Sequence, residues 1–215
     1  MTQTPPPRFG QQFLDSFDDL LHWRRDVRHF DPRPIDQDLL NSLLDRACLA
    51  PSVGNSQPWR FVRIVSPHIR QAVTAHVESE NARAREEYDG RRRTAYAALK
   101  VHGLDEAPEH IAVFSDSATA EGHGLGRRTM PETLHYSTVT AVYTFWLAAR
   151  ARGIGLGWVS ILDPQEIVRL LKVPSSWKFI GYMCVGYPSS EEGEPELERL
   201  GWQARINPQN TRFTR

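Results

Sequence analysis

The sequence predicts an α+β fold with one sheet and a single domain. Three observations lead to this fold class. Patterns typical of helices outnumber those typical of strands, the strand patterns are spread through the chain, and no internal repeat or domain boundary interrupts it. A chain of 215 residues is long enough to bury a sizeable core as one domain.

Helices are predicted where apolar residues recur with helical spacing and where capping residues precede them. The first runs from Phe13 to Trp23. Asp36 is a good N-cap for the second, which Pro51 ends. Proline in the first turn marks the start of three more, and the longest of these is apolar on more than one face, so we expect it to be central and buried. These three helices cover residues 67–84, 131–152 and 164–171.

Strands are predicted from short apolar runs that are bounded by turn residues. They cover residues 59–65, 111–114, 155–162 and 179–186. The second of them ends at Ser115, and the third is rich in glycine. Both cysteines, Cys48 and Cys184, fall in apolar patterns and are interpreted as small core residues.

Residues 13–205 form the predicted domain. We expect residues 1–12 to be a disordered arm, because they include three consecutive prolines and lack the apolar stretch of a signal peptide. Residues 206–215 are interpreted as a polar C-terminal extension. Residues 85–105 are dense in charge and poor in large aliphatic side chains, which fits either a lid or an exposed helix.

Charge and composition exclude several classes of function. The chain carries 26 basic and 26 acidic side chains, so no net field favours nucleic acid or an anionic membrane. No apolar stretch approaches the roughly 20 residues of a membrane span. The histidines form no ligand pair with supporting carboxylates, and the cysteines have no metal-ligand spacing, so no metal site is predicted. We therefore expect a cytoplasmic protein.

Three segments are candidates for a binding site. Residues 24–28 read Arg-Arg-Asp-Val-Arg, which fits an anion clamp or a solvated helix end. Residues 52–57 form a polar loop between a buried helix and a strand, which fits a binding rim or an ordinary turn. Residues 153–160 contain three glycines, which either let a ligand approach the backbone or simply open a strand. None of the three is decisive alone.

Taken together, these segments resemble the nitroreductase family. The resemblance rests on the arginines of residues 24–28, on residues 50–59 (APSVGNSQPW) and on the order of the long helix and the glycine-rich strand. It covers residues 13–205. It implies an α+β sandwich with a central, mostly antiparallel sheet flanked by helices, in an intertwined homodimer with flavin mononucleotide (FMN) at the dimer interface.

The resemblance also implies a set of flavin contacts. Three arginines would hold the flavin phosphate and the pyrimidine edge, and the polar loop would contact the cofactor as well. Backbone amides of the glycine-rich strand would meet the flavin edge. The implied cofactor-binding residues are Arg24, Arg25, Arg28, Ser52, Asn55, Ser56, Gln57, Ser115, Gly157, Trp158, Val159 and Arg205.

One branch of the family is more similar than the others. Residues 130–134 (MPETL) and 155–164 (GLGWVSILDP) match this branch and are not shared by nitroreductases in general. Asn55 departs from it, because an apolar residue is expected at that position. Members of the branch use molecular oxygen to fragment reduced FMN into the benzimidazole lower ligand of cobalamin, so reduced FMN is the implied substrate. A separate flavin reductase is an implied partner.

Two residues match catalytic positions of this branch. Asp26 matches a carboxylate linked to the fragmentation, and we expect the three arginines beside it to keep it ionised at neutral pH. Its alternative role is to hold those arginines in position, and the sequence does not separate the two. Ser160 matches a serine near the flavin. It is expected to form hydrogen bonds rather than act as a nucleophile, because no histidine lies near it in the sequence.

Two other functions stay open at this point. An NAD(P)H-dependent nitroreductase or corrinoid reductase would return its flavin intact. A flavin-binding module of a different class would carry out no turnover. Loss of flavin with formation of a benzimidazole would distinguish the implied activity from both.

Overall fold

The computed structural model describes residues 6–215. Its α-helices are α1 (Gln11–Trp23), α2 (Gln37–Ala47), α3 (Pro67–Glu86), α4 (Gly90–Ala97), α5 (Thr133–Arg150), α6 (Pro164–Leu171) and α7 (Glu196–Arg199). Its strands are β1 (Phe30–Asp31), β2 (Trp59–Arg63), β3 (Glu109–Asp116), β4 (Gly155–Val159) and β5 (Trp177–Pro188). Each predicted helix and strand is present, with ends that shift by a few residues.

Local signals in the sequence explain where several helices begin. The Asp36 carboxylate accepts a hydrogen bond from the Leu39 amide at 2.9 Å, and the Asp163 carboxylate accepts one from the Gln165 amide at 2.9 Å. Such caps satisfy amides that have no partner inside the helix. Pro164 then occupies the first turn of α6, where a missing N–H costs nothing.

The strands form one antiparallel sheet. β5 pairs with β3 along one edge, and with β4 and β1 along the other; β2 pairs with β3. β1 was not predicted, because two residues carry no periodic signal. The antiparallel sheet and its flanking helices confirm the predicted fold class.

Both faces of the sheet are covered. On one face, α2 and α5 pack against β3, β4 and β5 around buried side chains such as Leu43, Phe145 and Met183. On the other face, α3 and α6 bury a second cluster that includes Val73, Phe114 and Ile167. The prediction that the longest helix is buried is confirmed, since α5 contributes to the core along most of its length.

The structure changes some expectations outside the sheet. Residues 1–5 of the predicted disordered arm lie outside the described residues, and α1 begins at Gln11, two residues before the predicted start of the domain. The extent of the arm stays a prediction. Cys48 is exposed, which corrects its assignment to the core, whereas Cys184 is buried.

Residues 85–105 contain the end of α3, all of α4 and a buried turn at 102–104. Their role as a lid stays a prediction. Among the described helices, none is both long and apolar enough to cross a membrane.

Candidate active site

The segment that follows α1 crosses β4 at very close range. The Val27 amide donates to the Leu156 carbonyl at 2.9 Å. A Cβ atom on Gly157 would lie 2.2 Å from the Val27 carbonyl oxygen, and one on Gly155 would lie 2.6 Å from the Val27 side chain. The space beside Gly157 is therefore filled by the Val27 backbone, and the missing side chain lets the arginine segment pack on β4. A contact between the flavin edge and the Gly157 backbone stays a prediction.

This crossing holds the Asp26 carboxylate in a defined place. Its Oδ1 accepts a hydrogen bond from the Trp158 amide at 2.8 Å, and its Oδ2 faces Arg28 Nε at 3.1 Å and Nη2 at 3.0 Å. Burial raises the pKa of Asp26 and outweighs the opposite effects of Arg28 and of the Trp158 amide. The expectation that the arginines would dominate was wrong in direction. The raised pKa brings the titration of Asp26 closer to neutral pH, which suits a proton-exchanging group.

Asp26 lies in the wall of an arginine-lined cavity of about 150 Å³. Arg24, Arg25, Arg28 and Arg205 line it as well, together with residues 195–197. The structure thus brings together residues from the start and the end of the chain, as the resemblance implied. Convergent arginines of this kind suit an anionic group such as a phosphate.

Trp146 on α5 contacts the arginines of this cavity wall, and this role was not predicted from the sequence. Its ring lies 4.9 Å below the Arg24 guanidinium carbon, and its Nε1–H donates to the Arg25 carbonyl at 3.0 Å. The only sequence signal was an apolar position in a buried helix, which predicts packing and not this contact.

Arg25 differs from its two neighbouring arginines. Its guanidinium donates to the carbonyl oxygens of His22 and, at 2.6 Å, Gly193. Burial lowers the pKa of Arg25, and the nearby Arg205 lowers it further. Through these bonds Arg25 ties the acidic residues 189–194 to the end of α1. Arg25 also lines the arginine-lined cavity, and its role as a direct flavin ligand stays a prediction.

The polar loop 52–57 is held by turn chemistry and by α5. The Ser52 hydroxyl accepts from the Gln57 amide at 3.1 Å, and the Ser137 hydroxyl accepts from the Val53 amide at 3.0 Å. Asn55 and Gln57 are exposed and have positive φ angles of 56° and 45°. Their side chains therefore lie at the protein surface. The resemblance implied that both would contact the flavin, and this stays a prediction.

Several implied contacts are buried in the protein instead. The Ser56 and Ser115 hydroxyls are fully covered and have no hydrogen-bond partner within the described residues. Val159 belongs to the second core cluster. The Trp158 amide already has a partner in Asp26, and the flavin contacts of Ser56, Ser115 and the Val159 backbone stay predictions. Ser160, just beyond β4, is exposed and stays available.

The remaining candidates fall into two groups along α5. Trp146 contacts the arginine segment, whereas Ser137 contacts the polar loop. At 1.5 Å per residue, these two positions are about 13 Å apart along the helix axis. One protomer therefore presents the arginine group and the loop group at different places on its surface.

The chain belongs to the nitroreductase family, whose family model matches residues 21–187. This membership confirms the resemblance that the sequence indicated. A solved structure of iodotyrosine deiodinase, bound to FMN and 3-iodo-L-tyrosine, is 26% identical and has a TM-score of 0.67, covering 81% of this chain and 91% of that chain. A nitroreductase-like protein from Streptococcus mutans has the same TM-score of 0.67 at 16% identity, over 94% of this chain and 98% of its own, and shares the fold.

Two relatives carry a more particular name. The 5,6-dimethylbenzimidazole synthase of Rhodospirillum rubrum is 55% identical over 93% of this chain and 94% of its own length. The 5,6-dimethylbenzimidazole synthase of Rhodobacter capsulatus is 46% identical over 92% of this chain and 96% of its own. These relatives belong to the branch that residues 130–134 and 155–164 indicated.

Proposed function

We propose that this chain is a 5,6-dimethylbenzimidazole synthase, which uses molecular oxygen to fragment reduced FMN and releases the lower ligand of cobalamin. The observation that carries the proposal is the similarity to relatives of that name over nearly the whole chain. The geometry agrees with it, because Asp26 is a half-buried carboxylate with a raised pKa, at the wall of a cavity lined by arginines.

The arginine-lined cavity suits the phosphate of FMN. Arg24 and Arg205 line the same cavity and form no ion pair within the described residues, so their forked donors are free for the phosphate. Arg28, which is fixed by Asp26, would face the pyrimidine edge. When bound, reduced FMN supplies the electrons for oxygen reduction and the carbon skeleton of the product.

Each remaining residue of the site has a task that follows from its surroundings. Asp26, held by the Trp158 amide, exchanges a proton with the substrate, and Ser160 orients it by hydrogen bonding. Residues 85–105 exclude water as a lid. A separate NAD(P)H-dependent reductase supplies reduced FMN, because each turnover consumes one molecule.

A homodimer would complete the site. Among the described residues, α1 has no buried side chain and exposes Phe13 and Phe17, and α5 exposes Tyr136 and Tyr143. Exposed apolar surface on two neighbouring helices indicates an association surface. Two-fold pairing across it would bring residues 52–57 of the partner subunit to the arginine segment.

The test is to mix the purified protein with chemically reduced FMN in air and to measure 5,6-dimethylbenzimidazole by mass spectrometry. We expect product to accumulate as flavin disappears. Asp26→Asn should lower product formation by about 100-fold or more, because it removes the proton-exchanging group, and should leave FMN binding nearly unchanged. Asp31→Asn, a matched change outside the cavity lining, should keep full activity.

Other outcomes of this experiment would identify a different function or a different role for Asp26. Intact, reoxidised FMN together with NAD(P)H oxidation would identify an ordinary flavin oxidoreductase. Tight binding without either reaction would identify a flavin-binding module. Loss of FMN binding in Asp26→Asn would show that Asp26 only positions the arginines.

A further inference from the structure

Glu196 is a second carboxylate on the guanidinium of Arg28. Arg28 directs Nε and Nη2 at Asp26, and its Nη1 lies 3.5 Å from Glu196 Oε2. The other Glu196 oxygen lies 3.4 Å from His29 Nε2. The Glu196 side chain is only 19% exposed, and it lines the same cavity as Asp26. The sequence showed only an acidic tail here, so this contact was not predicted.

Trp202 fixes the segment that carries Glu196. Its ring packs edge-on against Tyr88 and Tyr96, with centroids 5.5 and 6.0 Å away. Its amide donates to the Leu197 carbonyl at 2.8 Å, which closes the turn after α7. Glu196 is therefore held from both sides, by Arg28 in the cavity and by the aromatic cluster beside α4.

We propose that Glu196 is a positioning residue for Asp26: it occupies one edge of the Arg28 guanidinium and limits how much of that positive charge the Asp26 carboxylate receives. The proposal rests on the proposed function, in which Asp26 exchanges a proton with the substrate. Trp202 takes part by keeping Glu196 in place.

The charges around Asp26 explain why such a residue is needed. Several arginines surround the carboxylate, and alone they would hold it ionised, which would prevent it from taking up a proton. Burial opposes them, and Glu196 opposes them further by sharing Arg28. The titratable and charged groups that face Asp26 or Glu196, or line a cavity with them, are Arg24, Arg25, Arg28, His29, Arg150, Cys184, Glu191, Glu192, Glu194, Arg199 and Arg205.

The test follows the titration of Asp26 directly in the flavin-free protein. Aspartate is labelled with ¹³C at the carboxyl carbon, and the Asp26 NMR signal is assigned by its loss in Asp26→Asn. In Glu196→Gln we expect the titration midpoint of Asp26 to move to lower pH. The Arg28 guanidinium then has Asp26 as its only carboxylate partner among the described residues and stabilises the ionised form of Asp26 more strongly. Glu198→Gln makes the same change on α7 at a residue that forms no ion pair within the described residues, and it should leave the midpoint in place.

Trp202→Leu should move the midpoint in the same direction, since it loosens the segment. The double variant with Glu196→Gln should move it no further than Glu196→Gln alone, as expected for residues that act through one contact. Leu200→Ala, at an exposed neighbour, is the control for Trp202. The pH profile of product formation should shift with the midpoint.

An Asp26 midpoint that stays unchanged in Glu196→Gln, with only a lower melting temperature, would overturn the proposal and leave Glu196 a surface contact. An equal shift in Glu198→Gln would also overturn it, because the effect would then be general to the acidic segment. If the wild-type protein makes no product but Glu196→Gln moves the midpoint, the proposed function fails and the coupling between the two carboxylates stands.

Discussion

The arginine segment 24–28 and the polar loop 52–57 are both implied flavin-binding elements, yet they differ in which side chains they expose to solvent. The arginine segment is fixed by the fold: it crosses β4 at a glycine, donates to Leu156 and receives the Trp146 indole. The loop is held too, by the Ser137 hydroxyl and by close packing of Gly54 against Leu125, but it presents Asn55 and Gln57 to solvent. The arginine segment faces a cavity of its own protomer, whereas the loop side chains point outwards, where we propose that they meet a partner subunit.

The sheet beneath both regions contains the largest expected pH effect. His110 on β3 is fully buried, faces the Tyr182 hydroxyl at 3.0 Å, and has a pKa lowered to about 4 by burial. The unfolded chain takes up a proton near pH 6.5, so stability should fall as the pH drops from there towards 4, by about 3 kcal/mol in all. The arginine segment and the polar loop should unfold together. The loop leads into β2, which pairs with β3, and the arginine segment packs on β4, which pairs with β5, the other neighbour of β3.

Urea unfolding at pH 7 and pH 4.5 would measure this effect. His110→Gln cannot take up a proton and should lose less stability on acidification than the wild-type protein. His68→Gln, at an exposed position, should behave as the wild type does. Equal pH dependence in all three proteins would contradict the assignment to His110.

The next effect concerns the arginine segment alone. In Gly157→Ala the new methyl group would overlap the Val27 carbonyl, so the segment must move away from β4. We expect a loss of about 2 kcal/mol in the free energy of unfolding and weaker FMN binding. Gly10→Ala is the control, because a Cβ atom there has no neighbour within 4 Å. If FMN binding survives unchanged, the seating of this segment on β4 is unimportant for the ligand.

Trp146→Phe separates the two supports that the indole gives to the arginine segment. Phenylalanine keeps a ring beneath Arg24 but removes the hydrogen bond to the Arg25 carbonyl. Leaving that acceptor without a partner should cost about 1.5 kcal/mol in urea unfolding, with a modest loss of FMN affinity by fluorescence titration. Trp177→Phe, far from the cavity lining, should not change the affinity. The same affinity loss in both variants would argue against a specific role for Trp146.

The sequence predicted those parts of the molecule that local signals determine. The caps at Asp36 and Asp163, the buried helix α5 and the four longer strands follow from spacing and capping residues, and the arginines were recognised from a short motif. These features need only neighbouring residues to be interpreted.

Features that depend on distant residues were missed. The close contact between Gly157 and Val27 was not predicted, because the approach of Val27 to β4 has no local signature in the sequence. The direction of the pKa shift of Asp26 was wrong for a related reason: the neighbouring arginines are visible in the sequence, whereas the burial that raises the pKa comes from the tertiary fold.

The smallest expected effect tests the loop. Ser52→Ala removes the acceptor for the Gln57 amide, but this amide lies at the surface and water can replace the hydroxyl. We therefore expect a loss of only about 0.5 kcal/mol in urea unfolding. FMN binding should nevertheless weaken by more than this stability loss alone explains, because the loop would meet the flavin of the other subunit. Thr140→Ala, which removes a neighbouring contact to the Pro51 carbonyl, makes a matched control. If both variants change stability and affinity in proportion, the loop acts as ordinary turn structure, and the difference between the two regions would be one of packing and not of shared function.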